Sequence, residues 1–198
     1  MTKSTFLNWV NTSWRMRFFL FWKLPAAWFM GINVRFCDGS KADVALPYGW
    51  RSQNPFRSTY FAAQCAAAEL STGLLALAAL QERPPVSMLV IRMEAVFLKK
   101  ASDTLVFTCT DGKSLEETIQ RALDTGTGQE FRAASVGRLP DGTEAAQVWV
   151  TWSFRAKSAN RKGIKQKASR KSAKAANFRD TFIDRSVPAG GKSTDFIE

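Results

Sequence analysis

The sequence predicts an α+β domain in which a curved antiparallel sheet wraps one long central helix, with an N-terminal helix before it and a basic tail after it. Three observations carry this. Residues 58–81 are dense in Ala and Leu and hold one charge, Glu69. Stretches with a period of two, separated by turn residues, lie on both sides of that run. The positive charge is concentrated near the C-terminus.

Residues 6–29 read as helical, with Trp9, Trp14, Phe18, Phe21, Trp22 and Trp28 forming a broad aromatic face and Pro25 expected to break or bend it. The apolar run Phe18–Trp22 is flanked by Arg15, Arg17 and Lys23. It is far below the roughly 18 residues that a spanning helix needs, and no small-residue cleavage site completes a signal peptide. A soluble, cytoplasmic protein is expected. Such an aromatic stripe serves as core, dimer contact or membrane contact.

The period then becomes two. Ile32, Val34 and Phe36 alternate with polar neighbours, Asp38-Gly39 marks a turn, and Val44 and Leu46 resume the alternation, which predicts a hairpin. Residues 47–55 read as a loop. The run 58–81 is long enough for about six turns of helix. Apolar all round, it is expected to be buried. Ala62, Ala63, Ala66, Ala67, Ala68 and Gly73 keep it thin, so that a sheet can approach closely.

Arg83-Pro84-Pro85 ends this helix. Strands are predicted over residues 88–98 and 104–110. Ser114 with Glu117 forms a capping-box pattern for a short helix to about Leu123. Two further strands, 131–139 and 146–154, flank Pro140-Asp141-Gly142. Consecutive strands joined by tight turns favour an antiparallel sheet, whose face the apolar helix covers. The expected division is an aromatic helical segment over 1–30, the domain proper over 31–155 and a tail over 156–198.

The formal charge of +11 invites a nucleic-acid reading. Between Arg155 and Lys174, however, there are nine Lys or Arg and no acid, which leaves about +2 for the rest. A run of this kind binds polyanions weakly and without sequence preference, and it lacks interleaved aromatics for base stacking. The tail is expected to be mostly disordered, with 178–183 as a short docking segment. Gly190-Gly191-Lys192-Ser193-Thr194 lacks the first glycine of a phosphate loop, since Ser186 stands there.

The sequence has no histidine, which removes Ser-His and Cys-His pairs and HExxH zinc sites. Cys37, Cys65 and Cys109 are far apart and form no CxxC pair, so neither a disulfide frame nor a thiolate metal site is expected. No metal and no cofactor are predicted. Cys65, one turn before Glu69, lacks a cationic neighbour in sequence to activate it and reads as a small core residue.

Glu69 requires an explanation, because an ionised carboxylate taken from water without partners costs several kcal/mol. It either pairs structurally with an arginine such as Arg92 or Arg57, or faces a wet cleft. Asn54, in Gln53-Asn54-Pro55, reads either as a helix cap or as a polar group facing that cleft. The first-turn amides from about Thr59 to Ala62 are placed to polarise a carbonyl.

These residues resemble the signature of PaaI-like hotdog thioesterases, and especially that of a bacterial branch of uncharacterised function. Trp50-Arg51 precedes Asn54, Ser58-Thr59 forms the small polar step, and Glu69 follows the asparagine by 15 positions. More loosely, the resemblance extends over residues 6–155, including Gly31, Trp152 and Phe154. The aromatic first helix together with the basic tail points to an alternative, a non-catalytic acyl- or lipid-binding module at a membrane surface. The resemblance implies a hotdog fold and hydrolysis of acyl-CoA or acyl-carrier thioesters, or a degenerate relative that still binds them. It further implies a homodimer or dimer of dimers with helices side by side and sites between subunits.

By this resemblance, Glu69 is the general base or nucleophile and Asn54 orients water or the thioester. Ser58, Thr59, Tyr60, Phe61, Leu70 and Gly73 would contact the substrate. A tunnel lined by Leu70 and Leu74 would run past Glu69. Where many PaaI-like enzymes have His-Gly-Gly, this chain has Thr59-Tyr60-Phe61-Ala62, and the bulk of Tyr60 and Phe61 would narrow the entrance.

Overall fold

The computed structural model describes residues 1–157; the predicted tail beyond them, with its 178–183 and 190–194 segments, lies outside the described residues. The single bent helix expected over 6–29 is three: α1 Lys3–Val10, α2 Ser13–Lys23 and α3 Pro25–Phe29. Asn11 makes the first break. Its Nδ2 donates to Leu7 O (2.9 Å) and Cys37 O (2.7 Å), and its Oδ1 accepts from Cys37 N (2.9 Å). A polar side chain thus ties the gap between helices to the first strand. Pro25 makes the second break by starting α3, where its missing N–H costs nothing. Phe6, Val10, Met16 and Leu20 point inward and share the core with the rest of the domain.

Strands β1 Asn33–Cys37 and β2 Ala42–Leu46 form the predicted hairpin. Asp38 Oδ1 accepts from Ser40 N, Ser40 Oγ and Lys41 N, each at 2.8 Å, and Gly39 takes φ +90°. The simple alternation fails inside β1. A bulge between Val34 and Phe36 shifts the register, so Phe36 turns outward and Cys37 inward.

Helix α4, Phe61–Ala79, follows, then β3 Val86–Phe97, β4 Leu105–Cys109, α5 Gly112–Thr125, β5 Gln129–Arg138 and β6 Glu144–Ala156. The six strands form one antiparallel sheet in the order β1-β2-β4-β5-β6-β3. The sheet curves around α4, which packs on β1, β2, β4, β5 and β6. Leu74 and Leu75 are almost fully buried there, and each such side chain stabilises the fold by about 2 kcal/mol. Small residues allow this close approach, as the sequence predicts. The sheath is incomplete, however: along α4, Phe61, Ala62, Cys65, Ala66 and Glu69 keep exposure and form one open stripe at helical spacing, and Leu77 is exposed separately beyond the buried residues 70–76.

Helix α5 also departs from its expected start. The Ser114–Glu117 capping box does not form; α5 begins at Gly112 with Asp111 as N-cap and no side-chain cap. Packing decides this rather than local propensity. Gly112 N donates to Ser40 O (3.2 Å), a Cβ at Gly112 would overlap Gly39 O, and Asp111 Oδ2 instead accepts from Ala134 N (2.7 Å). Leu115, Ile119 and Ala122 bury the inner face of α5 beside α4.

Candidate active site

The loop before α4 is built around Asn54. Its Oδ1 accepts from Phe56 N (3.0 Å), Ser58 N (3.1 Å) and Ser58 Oγ (3.1 Å), and its own N–H donates to Ser58 O (2.8 Å). Asn54 therefore closes its own turn and is not the cap of α4. Arg57, at φ +56°, occupies the left-handed position that this tight turn needs. Tyr60 is the N-cap residue and offers no side-chain bond.

Of the amides expected at the helix start, two are already used. Thr59 N donates to Ala101 O and Tyr60 N to Ser52 O, both at 2.7 Å. Those of Phe61 and Ala62 carry no hydrogen bond among the described residues. They mark the positive end of α4.

In front of this end lies a cleft of about 430 Å³ lined by Asn54, Ser58, Thr59, Phe61 and Gln64 on one side and by residues 97–101 on the other. It brings together four of the predicted residues: Asn54, Ser58, Thr59 and Phe61. Tyr60 stands at its edge, half exposed, with its ring edge-on to Phe61 at 4.8 Å. Leu70 and Gly73 are buried further along α4 and do not line the cleft, and Leu74 is packed in the core.

Three polar residues of the cleft, Gln64, Lys99 and Lys100, carry no prediction from sequence. Gln64 is buried; its Nε2 donates to Thr59 O (3.1 Å), while Oε1 is a buried acceptor with no donor among the described residues. Such a group costs stability unless water or a ligand satisfies it. Lys99 and Lys100 add positive charge at the rim. The available signals were weak: an amide at the start of an otherwise apolar run, and two adjacent lysines between strands.

Glu69 lies near the middle of α4, where the open stripe ends, outside the lining of the cleft. Among the described residues its carboxylate has neither an ion pair nor a hydrogen bond, and Arg92 pairs instead with Glu94 (3.1 Å). Burial raises its pKa above the ordinary glutamate range, since no cation offsets the lost hydration. Behind it, a Cβ on Gly73 would lie 3.7 Å from Glu69 Oε1 and 3.3 Å from Trp152 Cζ2. Gly73 thus lets the tryptophan ring lie beside the acid. Burial likewise raises the Cys65 pKa, which keeps it a thiol and a poor nucleophile.

The fold is shared with solved structures. A protein of unknown function from Pseudomonas aeruginosa, described as a probable thioesterase, aligns with a TM-score of 0.60 at 16% identity, over 72% of this chain and 95% of that one. A protein of unknown function from Chlorobaculum tepidum aligns at 0.62 and 14% identity, over 74% and 96%. A thioesterase from Haemophilus influenzae aligns at 0.56 and 15% identity, over 73% and 91%. The architecture is that of the hotdog fold. No curated protein matches the sequence. The family described as a domain of unknown function, DUF4442, matches residues 12–153, most of the chain, and the protein belongs to that family.

Proposed function

We propose that the protein hydrolyses acyl thioesters of coenzyme A or an acyl carrier, as a PaaI-like member of the hotdog superfamily. The observation that carries this reading is Glu69: a half-buried carboxylate without a partner among the described residues, its pKa raised by burial, as suits a general base. In this reading Glu69 takes a proton from water as the water oxygen attacks the thioester carbonyl. The Phe61 and Ala62 amides stabilise the oxyanion. Collapse expels the thiolate, which takes the proton back from Glu69, giving a carboxylic acid and a free thiol. Asn54 Nδ2 orients the water or the thioester, Ser58 and Thr59 line the approach, and Tyr60 and Phe61 border it. Leu70 and Gly73 would meet the acyl chain from beneath the stripe. Lys99 and Lys100 suit the phosphates of a carrier.

Distance adds a requirement. Glu69 follows Phe61 by eight residues of α4, which is about 12 Å at a rise of 1.5 Å per residue. Groups that far apart do not act on one carbonyl, where reacting atoms lie about 3 Å from their partners. Two copies with their α4 stripes side by side would bring Glu69 of one to the cleft of the other. Edge strand β3 supports that assembly, since Leu89 (64% exposed), Ile91 (46%) and Phe97 (45%) give it an exposed apolar surface. The working form is then a homodimer or a dimer of dimers.

A panel of acyl-CoA thioesters with a thiol reporter tests the reading, alongside Glu69→Gln and a measurement of mass in solution. Turnover lost in a folded Glu69→Gln dimer is the expected result. Absence of turnover at every chain length removes the hydrolase. The second reading, binding of acyl thioesters without turnover, is favoured by the rings of Tyr60, Phe61 and Phe97 packed edge-on at the cleft, and it predicts binding of the same panel without hydrolysis.

A further inference from the structure

We propose that the outer face of α2 docks on an anionic phospholipid bilayer. This helix is apolar on two sides. Met16 and Leu20 face the core, 2% and 1% exposed, and complete the packing against the domain. Trp14, Phe18 and Trp22, spaced four apart and therefore in one stripe, face outward at 69%, 62% and 67% exposure. Burial in the fold does not account for this second stripe. Phe21 and Leu24 widen it, and Phe29 meets the exposed Trp50 edge-on at 6.2 Å, which carries the aromatic surface into the loop before α4. A groove of about 490 Å³ runs along it, with Trp9 and Phe19 at its base and Arg15 and Lys23 among its lining.

Charge identifies the partner. Residues 1–37 contain Lys3, Arg15, Arg17, Lys23 and Arg35, and the first acid in the sequence is Asp38. Arg15, Arg17 and Lys23 are exposed on the flanks of the stripe, and the Arg15 guanidinium lies 5.3 Å from the Trp14 ring. Indole rings flanked by cations suit the headgroup boundary of a membrane, where the rings enter the apolar region and the cations are drawn to the anionic surface. A second copy of the chain fits less well. In a twofold contact the same patch meets itself, and the three flanking cations would face their own kind with no acid from residues 1–37 to pair them. A bilayer rich in anionic lipid supplies both the apolar depth and the counter-charge.

The test uses the full chain with vesicles of phosphatidylcholine, alone or mixed with phosphatidylglycerol, some carrying brominated acyl chains. The basic run at 155–174 attracts anionic vesicles by charge alone, so depth and the effect of the aromatic stripe are the deciding readouts. The expected result is co-sedimentation with the mixed vesicles and quenching of tryptophan fluorescence by the bromines. Partitioning should fall by at least about tenfold in Trp14→Ser/Phe18→Ser/Trp22→Ser with the run intact, given the loss of three buried rings. Phe18→Ser alone, which leaves every tryptophan in place, should weaken partitioning in the same direction. Equal partitioning of wild type and variants, or binding without bromine quenching, would overturn the proposal. So would a fall in solution mass on triple substitution with no vesicle binding by wild type, since the stripe would then be a contact between copies.

Discussion

Trp152 on β6 donates its indole N–H to Thr72 Oγ1 on α4 at 3.0 Å, a buried hydrogen bond between the last strand and the central helix. Thr72 Oγ1 in turn donates to Glu69 O (3.0 Å). The strand is thereby fixed against the turn of helix that presents the acid. Trp152→Phe removes the donor and part of the ring, and it should lower stability by about 1–3 kcal/mol. Thermal unfolding measures this.

Gly73 is the counterpart of that bond. Alanine there would raise helix propensity by about 1 kcal/mol, but its Cβ would press on Trp152 Cζ2 at 3.3 Å. The ring cannot retreat without stretching its bond to Thr72. Gly73→Ala should therefore destabilise the protein by about 1–2 kcal/mol net. In the background of Trp152→Phe the same substitution should cost less, which a double-mutant cycle of melting curves reads directly.

The central helix was legible because its composition leaves few alternatives: residues 61–79 hold a single charge, and their small side chains admit a sheet. The hairpin at Asp38-Gly39 was legible from its turn chemistry. What escaped depends on contacts between segments distant in sequence. Asn11 divides the first helix by bonding to Cys37, and Gly112 starts α5 by touching the hairpin at Gly39 and Ser40. In the candidate site, Asn54, Ser58, Thr59 and Phe61 meet at one cleft because they are neighbours in sequence. Lys99 and Lys100 join them from the connection between β3 and β4, and the separation of Glu69 from the cleft follows from the rise of a helix rather than from residue spacing in a motif.

The Gly112 contact gives a sharp stability test. A Cβ at that position would overlap backbone, Gly39 O and Ser40 Cα, rather than a side chain that can rotate away. Gly112→Ala should cost about 3 kcal/mol or more, despite alanine being the better helix former. Denaturant unfolding with an unchanged slope would report the loss.

Glu69 makes stability and activity respond to pH in opposite directions. Because burial raises its pKa in the folded state, the folded chain holds this proton more tightly than the unfolded chain. The ionised carboxylate costs stability at neutral pH, and that cost disappears as pH falls through the raised value toward the ordinary glutamate range, where both states are protonated. Glu69→Gln should raise the melting temperature by a few degrees at pH 7, with the gain shrinking on acidification. Hydrolysis, needing the ionised base, should rise with pH through the same raised value in wild type and fall by about 10²–10⁴-fold in Glu69→Gln.

Asn54 allows the holding of a loop to be separated from chemistry. All three partners of its Oδ1 are donors, so the orientation of the amide is fixed, and Nδ2 carries no hydrogen bond among the described residues. Asn54→Ala removes the acceptor and should cost about 1–2 kcal/mol while loosening the turn that positions Ser58. Asn54→Asp keeps an oxygen for the same three donors, so the turn persists, but it replaces the free donor with a second acceptor. If Nδ2 orients water or thioester, Asn54→Asp melts close to wild type and loses most hydrolysis. If Asn54 serves the loop alone, Asn54→Asp keeps its turnover and only Asn54→Ala loses it. Melting curves and acyl-CoA turnover on the two variants distinguish these outcomes.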